Sequence, residues 1–209
     1  GSLPQFEVDP RSTALLLVDI QYYHTHPSFG IAKIFNNRYP ELASAYFDRI
    51  DHTVIPANQR LLGFFRSNGL RVIFVSVGPN LADGSDMFAR RRRRDEARRQ
   101  ASGAASTFFV GSPEHRISDE VDPIPGELVL NKNSIGAFNS TALDQLLRNF
   151  GVESLVITGV ATNACVETTA RDAADRGYNC ILAEDGCATF DEPSHIATLL
   201  SFGRLFGKV

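Results

Sequence analysis

Five short apolar segments, each bounded by turn residues, constrain the fold of this chain more than any other feature of its sequence. They span 14–20 (ALLLVDI), 71–77 (RVIFVSV), 127–130 (ELVL), 154–160 (SLVITGV) and 179–183 (NCILA). Apolar side chains at successive positions, without strict alternation, are typical of strands that are buried on both faces. The segments therefore predict a parallel sheet that is covered by helices.

Three of the intervening segments are predicted to be helices. They span 53–68 (TVIPANQRLLGFFRSN), 140–150 (STALDQLLRNF) and 163–176 (NACVETTARDAADR). Each is followed directly by a glycine of the kind that ends helices, at Gly69, Gly151 and Gly177. This alternation predicts the α/β class, as a three-layer α/β/α sandwich with a mainly parallel open sheet. Residues 21–50 and 78–126 show neither pattern and are expected to be irregular.

Length and composition favour a single domain over residues 1–209, in which Gly1 and Ser2 are interpreted as an expression scar. Hydrophobic residues make up 43% of the chain and charged residues 22%, which is ordinary for a domain with a sizeable core. The net charge of -3 supplies no overall attraction to nucleic acid or to an anionic membrane, and no apolar stretch approaches the ~20 residues of a membrane helix. We therefore expect neither as a partner. Three cysteines, an odd number in a chain that needs no disulfides, favour reduced thiols and a cytoplasmic location.

A run of basic residues interrupts the second irregular region. It covers 90–94 (RRRRR) and continues with Arg98 and Arg99. One interpretation is a patch for nucleic acid or an acidic partner, which would make the domain a noncatalytic binding module. The other is a solvated helix face or a subunit contact, with Asp95 and Glu96 as countercharge. The negative net charge and the lack of a nucleic-acid-binding motif favour the second interpretation.

Three chemically suitable residues lie at or after the ends of predicted strands, where ligands bind in open parallel sheets. Asp19 ends the first apolar segment, Lys132 follows the third and Cys165 follows the fourth. Each has an ordinary alternative: a capping aspartate, a solvated lysine or a buried apolar cysteine. Together they provide a nucleophile, a carboxylate that can move protons and a fixed cation. We expect Cys165 to lie near a helix N-terminus, where the helix dipole lowers a thiol pKa and favours the thiolate.

The other two cysteines carry a weaker signal. Cys180 lies within the apolar segment NCILA and is expected to be a buried core residue. Cys187 is also expected to be buried, although its position at a strand end in EDGCAT would allow it to approach the site.

Four segments give the chain a specific resemblance to a known family. LLLVDIQ, KNSIGAFNST, VITGVATNACVETTARDAADRGY and ILAEDGCAT resemble, in the same order, the isochorismatase-like cysteine hydrolases. This family includes nicotinamidases and N-carbamoylsarcosine, ureidoacrylate and biuret hydrolases. The resemblance implies an α/β/α sandwich and a catalytic triad of Asp19, Lys132 and Cys165. It also implies a cis peptide at Val160-Ala161, an oxyanion hole formed by the amides of Ala161 and Cys165, and a homo-oligomer, as a dimer or tetramer.

The residues after the first two strands and the turn that carries Cys165 indicate the branch of the family. Nicotinamidases carry metal-binding histidines after the second strand, whereas this chain continues there as 76–80 (SVGPN). His24 and His26, after the first strand, are weak evidence for a metal site. We therefore expect no metal or other cofactor. The presence of Cys165 in the turn favours an amidohydrolase that cleaves a C–N bond of a small linear amide or ureido compound through a thioester and releases ammonia. A nicotinamidase-like or vinyl-ether hydrolase is the alternative.

Substrate contacts are predicted next to the triad. Gln21, Tyr22 and Tyr23 follow the aspartate, and Phe138 and Asn139 follow the lysine loop, so both groups could line a small pocket. Their ordinary alternative is a place in the core. The aromatic segment 29–46 is interpreted either as a lid or as a contact with a neighbouring subunit.

Overall fold

The computed structural model describes residues 3–102 and 108–209, and five strands in these ranges form one all-parallel sheet. Gly1 and Ser2, interpreted as a scar, lie outside the described residues. The strands are β1 (Thr13–Val18), β2 (Arg71–Val77), β3 (Leu128–Lys132), β4 (Ser154–Val160) and β5 (Asn179–Ala188). Their spatial order is β3-β2-β1-β4-β5, so the strand that comes first in the chain lies in the middle.

The central strand β1 is buried on both faces. All six of its residues are buried, and successive side chains point to opposite sides of the sheet. Leu15 and Leu17 belong to one apolar cluster, whereas Leu16 and Val18 belong to the other. The segment is apolar throughout because both faces of the sheet are covered, as the sequence predicts.

Helices cover both faces. One face carries α1 (Tyr22–Thr25), α2 (Ala32–Arg38), α3 (Pro40–Arg49) and α4 (Ile55–Ser67), and the other carries α6 (Leu143–Asn149), α7 (Glu167–Asp175) and α8 (Glu192–Leu205). Helix α5 (Ala89–Ser102) follows β2 and contacts α2. Wider π-type turns precede α4 (Ile50–Val54) and α7 (Thr162–Val166), and short 3₁₀ turns lie at Pro10–Ser12, Pro113–His115 and Asp119–Val121. The predicted three-layer α/β/α sandwich is confirmed.

The expectation of irregular structure at 21–50 and 78–126 is wrong, because α1, α2 and α3 occupy the first region and α5 the second. The first region does contain a helical signal. Ala43, Tyr46, Phe47 and Ile50 are all buried, at the i, i+3, i+4, i+7 spacing of one helix face. Helix α5 has no such apolar stripe, since nearly all of its residues are polar or charged.

Two strands differ in extent from their apolar segments. β3 ends at Lys132, so this lysine is the last residue of a strand and does not lie in the following loop. β5 continues to Ala188, with a shift in its register against β4 between Ile157 and Gly159. Within the described ranges, no helix has the length and apolar character needed to span a bilayer.

Candidate active site

Three side chains from different strand ends meet at one edge of the sheet. The Lys132 ammonium lies 2.8 Å from Asp19 Oδ2 and 3.4 Å from Cys165 Sγ. It also donates to the carbonyl of Ser134, at 3.2 Å. Asp19 and Lys132 are completely buried, whereas Cys165 is partly exposed. The site is therefore a buried ion pair with a thiol beside it.

Asp19 reaches this position through an unusual backbone conformation. Its φ of 57° is in the left-handed region, which few residues other than glycine adopt and which aspartate tolerates. Its N–H donates to the Val75 carbonyl at 2.8 Å, and its carbonyl accepts from the N–H of Gln21 at 2.9 Å. Among the residues that the structure describes, Oδ1 has no hydrogen-bond partner although it is buried. One oxygen of the buried carboxylate therefore keeps unused hydrogen-bonding capacity.

The lysine is fixed by hydrogen bonds on both sides of its position in the chain. Asn131 donates its side-chain amide to the Gly78 carbonyl at 3.0 Å, and Asn133 donates to the Asp86 carbonyl at 3.1 Å. The Lys132 carbonyl itself accepts from the N–H of Gly78. The end of β3 is thus tied to the segment that follows β2, which limits where the ammonium can lie.

The turn that carries Cys165 depends on a close approach between two strands. Gly159 has a φ of 124°, and a Cβ there would lie 1.9 Å from the Val18 carbonyl oxygen, so only glycine fits. One residue further along, the Val160-Ala161 peptide bond is cis, as the resemblance implied. Thr169 then donates its hydroxyl to the Cys165 carbonyl at 2.6 Å, which links the turn to α7.

The protonation state of the thiol differs from the sequence-based expectation. Burial raises the pKa of Cys165 to about 12, and the Asp19 charge adds to the increase while Lys132 opposes it. Burial also raises the pKa of Asp19, against the opposing charge of Lys132. Burial lowers the pKa of Lys132, but the Asp19 charge and the hydrogen bonds to Asp19 and Cys165 outweigh burial and leave the pKa above its ordinary value. The direction of this shift is opposite to the expected lowering of the thiol pKa, and it favours the neutral thiol over the thiolate.

The side-chain amide of Gln21 is engaged in hydrogen bonds within the chain. Its amide nitrogen donates to the carbonyls of Val77 (3.2 Å) and His115 (2.7 Å), and its Oε1 accepts from the N–H of Val77 at 2.8 Å. These bonds use both amide hydrogens and the amide oxygen, so they give no support to a substrate contact, which stays a prediction. Gln21 instead connects the end of β1 to β2.

The two tyrosines that follow Gln21 lie in different environments. Tyr23 is buried and stacks on Phe108, with ring centroids 3.9 Å apart. Tyr22 lies under the guanidinium of Arg116 and lines a cavity of about 210 Å³ that contains none of the triad residues. That cavity gives no support to a substrate role for Tyr22, and the roles of both tyrosines stay predictions.

The residues predicted after the lysine loop separate as well. Phe138 packs in the apolar cluster on the α6 and α7 side, with the guanidinium of Arg176 5.0 Å from its ring centroid. It packs in the core, and its substrate contact stays a prediction. The Asn139 side chain is exposed, and its role stays a prediction. Cys180 and Cys187 are both buried core residues, as the sequence predicts.

The aromatic segment packs against its own chain. Phe35 and Tyr46 both stack on Phe190, with ring centroids 4.1 Å and 4.2 Å apart. Phe190 lies just after β5, so this contact covers the same end of the sheet as the triad. Whether the segment also moves as a lid or contacts another subunit stays a prediction.

The arginine run forms part of α5 and is not uniform. Arg91 is only 9% exposed, with its Nε 2.6 Å from Asp95 and its guanidinium 5.3 Å from the Phe108 ring centroid, whereas the other four arginines of 90–94 are exposed. Its charge also helps to lower the pKa of Asp19 against the effect of burial. The run 90–94 is therefore a solvated helix face except at Arg91. Five identical residues give no signal in the sequence that would single out Arg91. The side chains of Arg98 and Arg99 lie outside the description.

The histidines after β1 are the weak candidates for a metal site in this sequence. His26 uses its ring Nδ1 to accept from the N–H of Ser28 at 3.1 Å. In the part of the chain that the structure describes, no three His, Cys, Asp or Glu side chains converge as metal ligands would. The absence of a cofactor stays a prediction.

Comparison with known proteins places this geometry in context. The model of the isochorismatase domain family matches residues 13–209. The ureidoacrylate amidohydrolase RutB of Methylobacterium radiotolerans is 29% identical over 215 residues, which cover 97% of this chain and 77% of that protein.

Two solved structures share the fold. A cysteine hydrolase from Pseudomonas syringae pv. phaseolicola aligns with a TM-score of 0.80 and 23% identity, over 100% of this chain and 92% of that one. The N-carbamoylsarcosine amidase from Thermoplasma acidophilum aligns with a TM-score of 0.67 and 23% identity, over 95% of this chain and 94% of that one. At this level of identity the structural likeness establishes the fold alone.

Proposed function

The chain belongs to the isochorismatase family of hydrolases, and from that premise we propose that it is a cysteine-dependent amidohydrolase. The substrate is a small linear amide or ureido compound, and the reaction cleaves its C–N bond and releases ammonia. One observation carries the proposal: a single buried ammonium lies 2.8 Å from a carboxylate and 3.4 Å from a thiol. The similarity to a ureidoacrylate amidohydrolase supports the choice of a C–N bond.

The first half of the reaction forms the thioester. Asp19 Oδ1 accepts the Cys165 proton as sulfur attacks the substrate carbonyl carbon, so that the thiolate forms only during attack. Lys132 remains an ammonium and stabilises the negative charge on both partners. The protonated Asp19 then donates its proton to the leaving nitrogen, the C–N bond breaks, and ammonia departs.

The second half regenerates the thiol. Asp19, again a carboxylate, accepts a proton from water, and the resulting hydroxide attacks the thioester carbonyl carbon. The C–S bond breaks, and the proton on Asp19 returns to sulfur. The product is the acid, or a carbamate where the substrate is a ureido compound. Asp19 thus accepts a proton twice and donates it twice in each turnover.

The tetrahedral intermediates carry an oxyanion that needs hydrogen-bond donors. The amides of Ala161 and Cys165 are the donors in this proposal, since both belong to the turn that holds the nucleophile. In other enzymes, loss of one such donor lowers kcat by about 10²–10³-fold. The close approach at Gly159 supports a rigid turn, as an oxyanion hole requires.

An ammonia-release assay tests the proposal directly. The purified chain is incubated with biuret, triuret, ureidoacrylate, N-carbamoyl amino acids and maleamate, with nicotinamide as an alternative arm. A vinyl ether is the other alternative arm, and its hydrolysis is followed through the carbonyl product because it releases no ammonia. Cys165→Ala should lose turnover while it keeps the fold, and Cys180→Ala, which removes a buried thiol remote from the triad, should retain it. Intact mass spectrometry of a quenched reaction should show an acylated wild-type chain. Ammonia release by Cys165→Ala at more than a trace rate would exclude the covalent mechanism.

A further inference from the structure

Arg49, His195 and Thr162 form a chain of hydrogen bonds behind the nucleophile turn, in which His195 and Thr162 are buried and Arg49 is partly exposed. His195, in the first turn of α8, is 5% exposed, and its Nδ1 lies 2.9 Å from the hydroxyl of Thr162, which is completely buried. Its other nitrogen, Nε2, lies 3.1 Å from a guanidinium nitrogen of Arg49. The proposed reaction uses none of these three side chains.

The partners fix the protonation of the imidazole. A guanidinium can only donate, so Nε2 must accept from Arg49 and the ring proton must be on Nδ1. His195 therefore donates to the Thr162 hydroxyl. Burial lowers the pKa of His195, Arg49 lowers it further, and together they outweigh the charges of Glu184 and Glu192. The imidazole is neutral at neutral pH.

The chain connects separate elements to the turn. Arg49, at the end of α3, also donates to the carbonyls of Cys187 (3.1 Å) and Glu184 (3.2 Å) on β5. The first turn of α8 is held by Asp191, whose carboxylate accepts from the N–H of Ser194 at 2.9 Å. His195 therefore extends from a doubly anchored position toward Thr162.

Thr162 is the sensitive point of the turn. It directly follows Ala161 and begins the π-type turn Thr162–Val166, which contains Cys165. A displacement of Thr162 would move the nucleophile and both proposed oxyanion donors together. Displacements of about 1 Å at reacting groups can cost about 100-fold in rate.

We propose that His195 is a positioning residue, which holds Thr162 through its Nδ1 hydrogen and so fixes the turn that carries Cys165. The catalytic consequence rests on the proposed amidohydrolase function. The structural consequence does not, because the position of the thiol can be measured without a substrate.

Two amide replacements separate the two contacts of the imidazole. His195→Asn keeps a donor near the position of Nδ1, and His195→Gln keeps an acceptor near the position of Nε2. We expect His195→Asn to keep kcat within about fivefold of wild type, whereas His195→Gln and His195→Ala lose about 10- to 100-fold in kcat with little change in KM. Thr162→Val should reproduce the loss, and the double variant His195→Gln/Thr162→Val should lose no more than either single variant.

Alkylation of Cys165 by iodoacetamide, followed by intact mass, supplies the substrate-free measurement. A displaced turn hydrates the thiol, so His195→Gln should be alkylated about tenfold faster than wild type and His195→Asn at the wild-type rate. His52→Ala is the matched control, because the His52 side chain is 75% exposed in the turn before α4. If no amide is hydrolysed by wild type, the proposed function fails while the alkylation test remains decisive.

Three results would overturn the positioning role. They are a His195→Gln variant with wild-type kcat and alkylation rate, a His195→Asn variant as impaired as His195→Gln, and losses that add fully in the double variant. The Asn and Gln comparison stands even if His195→Ala does not fold. Circular dichroism and urea unfolding establish which variants are folded.

Discussion

Removal of the Lys132 charge is the sharpest test of the buried ion pair at the site. In Lys132→Met the side chain keeps much of its length and apolar character, but Asp19 loses the cation 2.8 Å away while it remains completely buried. At an effective dielectric constant of about 20, unit charges at that distance attract each other by about 6 kcal/mol. Burial of both ions offsets part of this attraction, and removal of one partner of a buried pair typically costs about 3–5 kcal/mol.

The loss of stability in Lys132→Met should depend on pH, and the direction of this dependence can be worked out. Burial already raises the pKa of Asp19 against the opposing charge of Lys132, so the variant raises that pKa further. A carboxyl whose folded pKa lies above its unfolded value of about 3.9 binds more protons in the folded state between the two values. The variant is therefore destabilised least below about pH 4, and the destabilisation grows as the pH rises through the folded pKa.

The measurement is urea unfolding at about pH 4.5 and about pH 7.5 for wild type, Lys132→Met and the double variant Asp19→Asn/Lys132→Met. The double variant has no charge at positions 19 and 132 and should recover most of the stability at the higher pH. Arg60→Met removes a pair with Asp185 of similar length, 3.1 Å, whose side chains are 67% and 57% exposed, and should cost about 1 kcal/mol or less. A Lys132→Met cost no greater than that of Arg60→Met, or no recovery in the double variant, would refute the reasoning.

Three further predictions concern a thiol, a glycine and a glutamine. Alkylation of wild-type Cys165 by iodoacetamide should accelerate about tenfold per pH unit up to about pH 9, because burial raises the thiol pKa to about 12. An alkylation rate that stops rising below about pH 8 would contradict the raised thiol pKa. Gly159→Ala should lower the free energy of unfolding in urea by more than about 2 kcal/mol, since its Cβ would meet the Val18 carbonyl. The control Gly63→Ala, in open space on α4, should raise that free energy by about 0.5–1 kcal/mol, and equal effects of the two substitutions would refute the close approach at Gly159. Gln21→Ala should cost about 2–4 kcal/mol of stability and leave KM unchanged, because its hydrogen bonds lie within the chain. An increase in KM of about tenfold with unchanged stability would instead indicate that Gln21 contacts the substrate.

The sequence predicted the site better than its surroundings. Asp19, Lys132 and Cys165 could be selected because strand ends in a parallel sheet share one edge, which is a topological rule and needs no side-chain detail. Gln21, Tyr22 and Phe138 were selected by proximity along the chain alone. Adjacent residues can point in opposite directions, so proximity does not determine which side chains share a pocket.

The chain's local patterns determined the sheet, the helices α4, α6 and α7, and the candidate nucleophile turn, because burial on two faces and helix ends leave short-range signatures. The tertiary structure alone decided that Arg91 is buried among exposed arginines, that burial raises the pKa of Cys165, and that His195 contacts Thr162. Each of these depends on desolvation or on a partner from a distant segment. The free energies of desolvation and of these contacts arise only when distant segments pack together, so a short stretch of sequence cannot predict them.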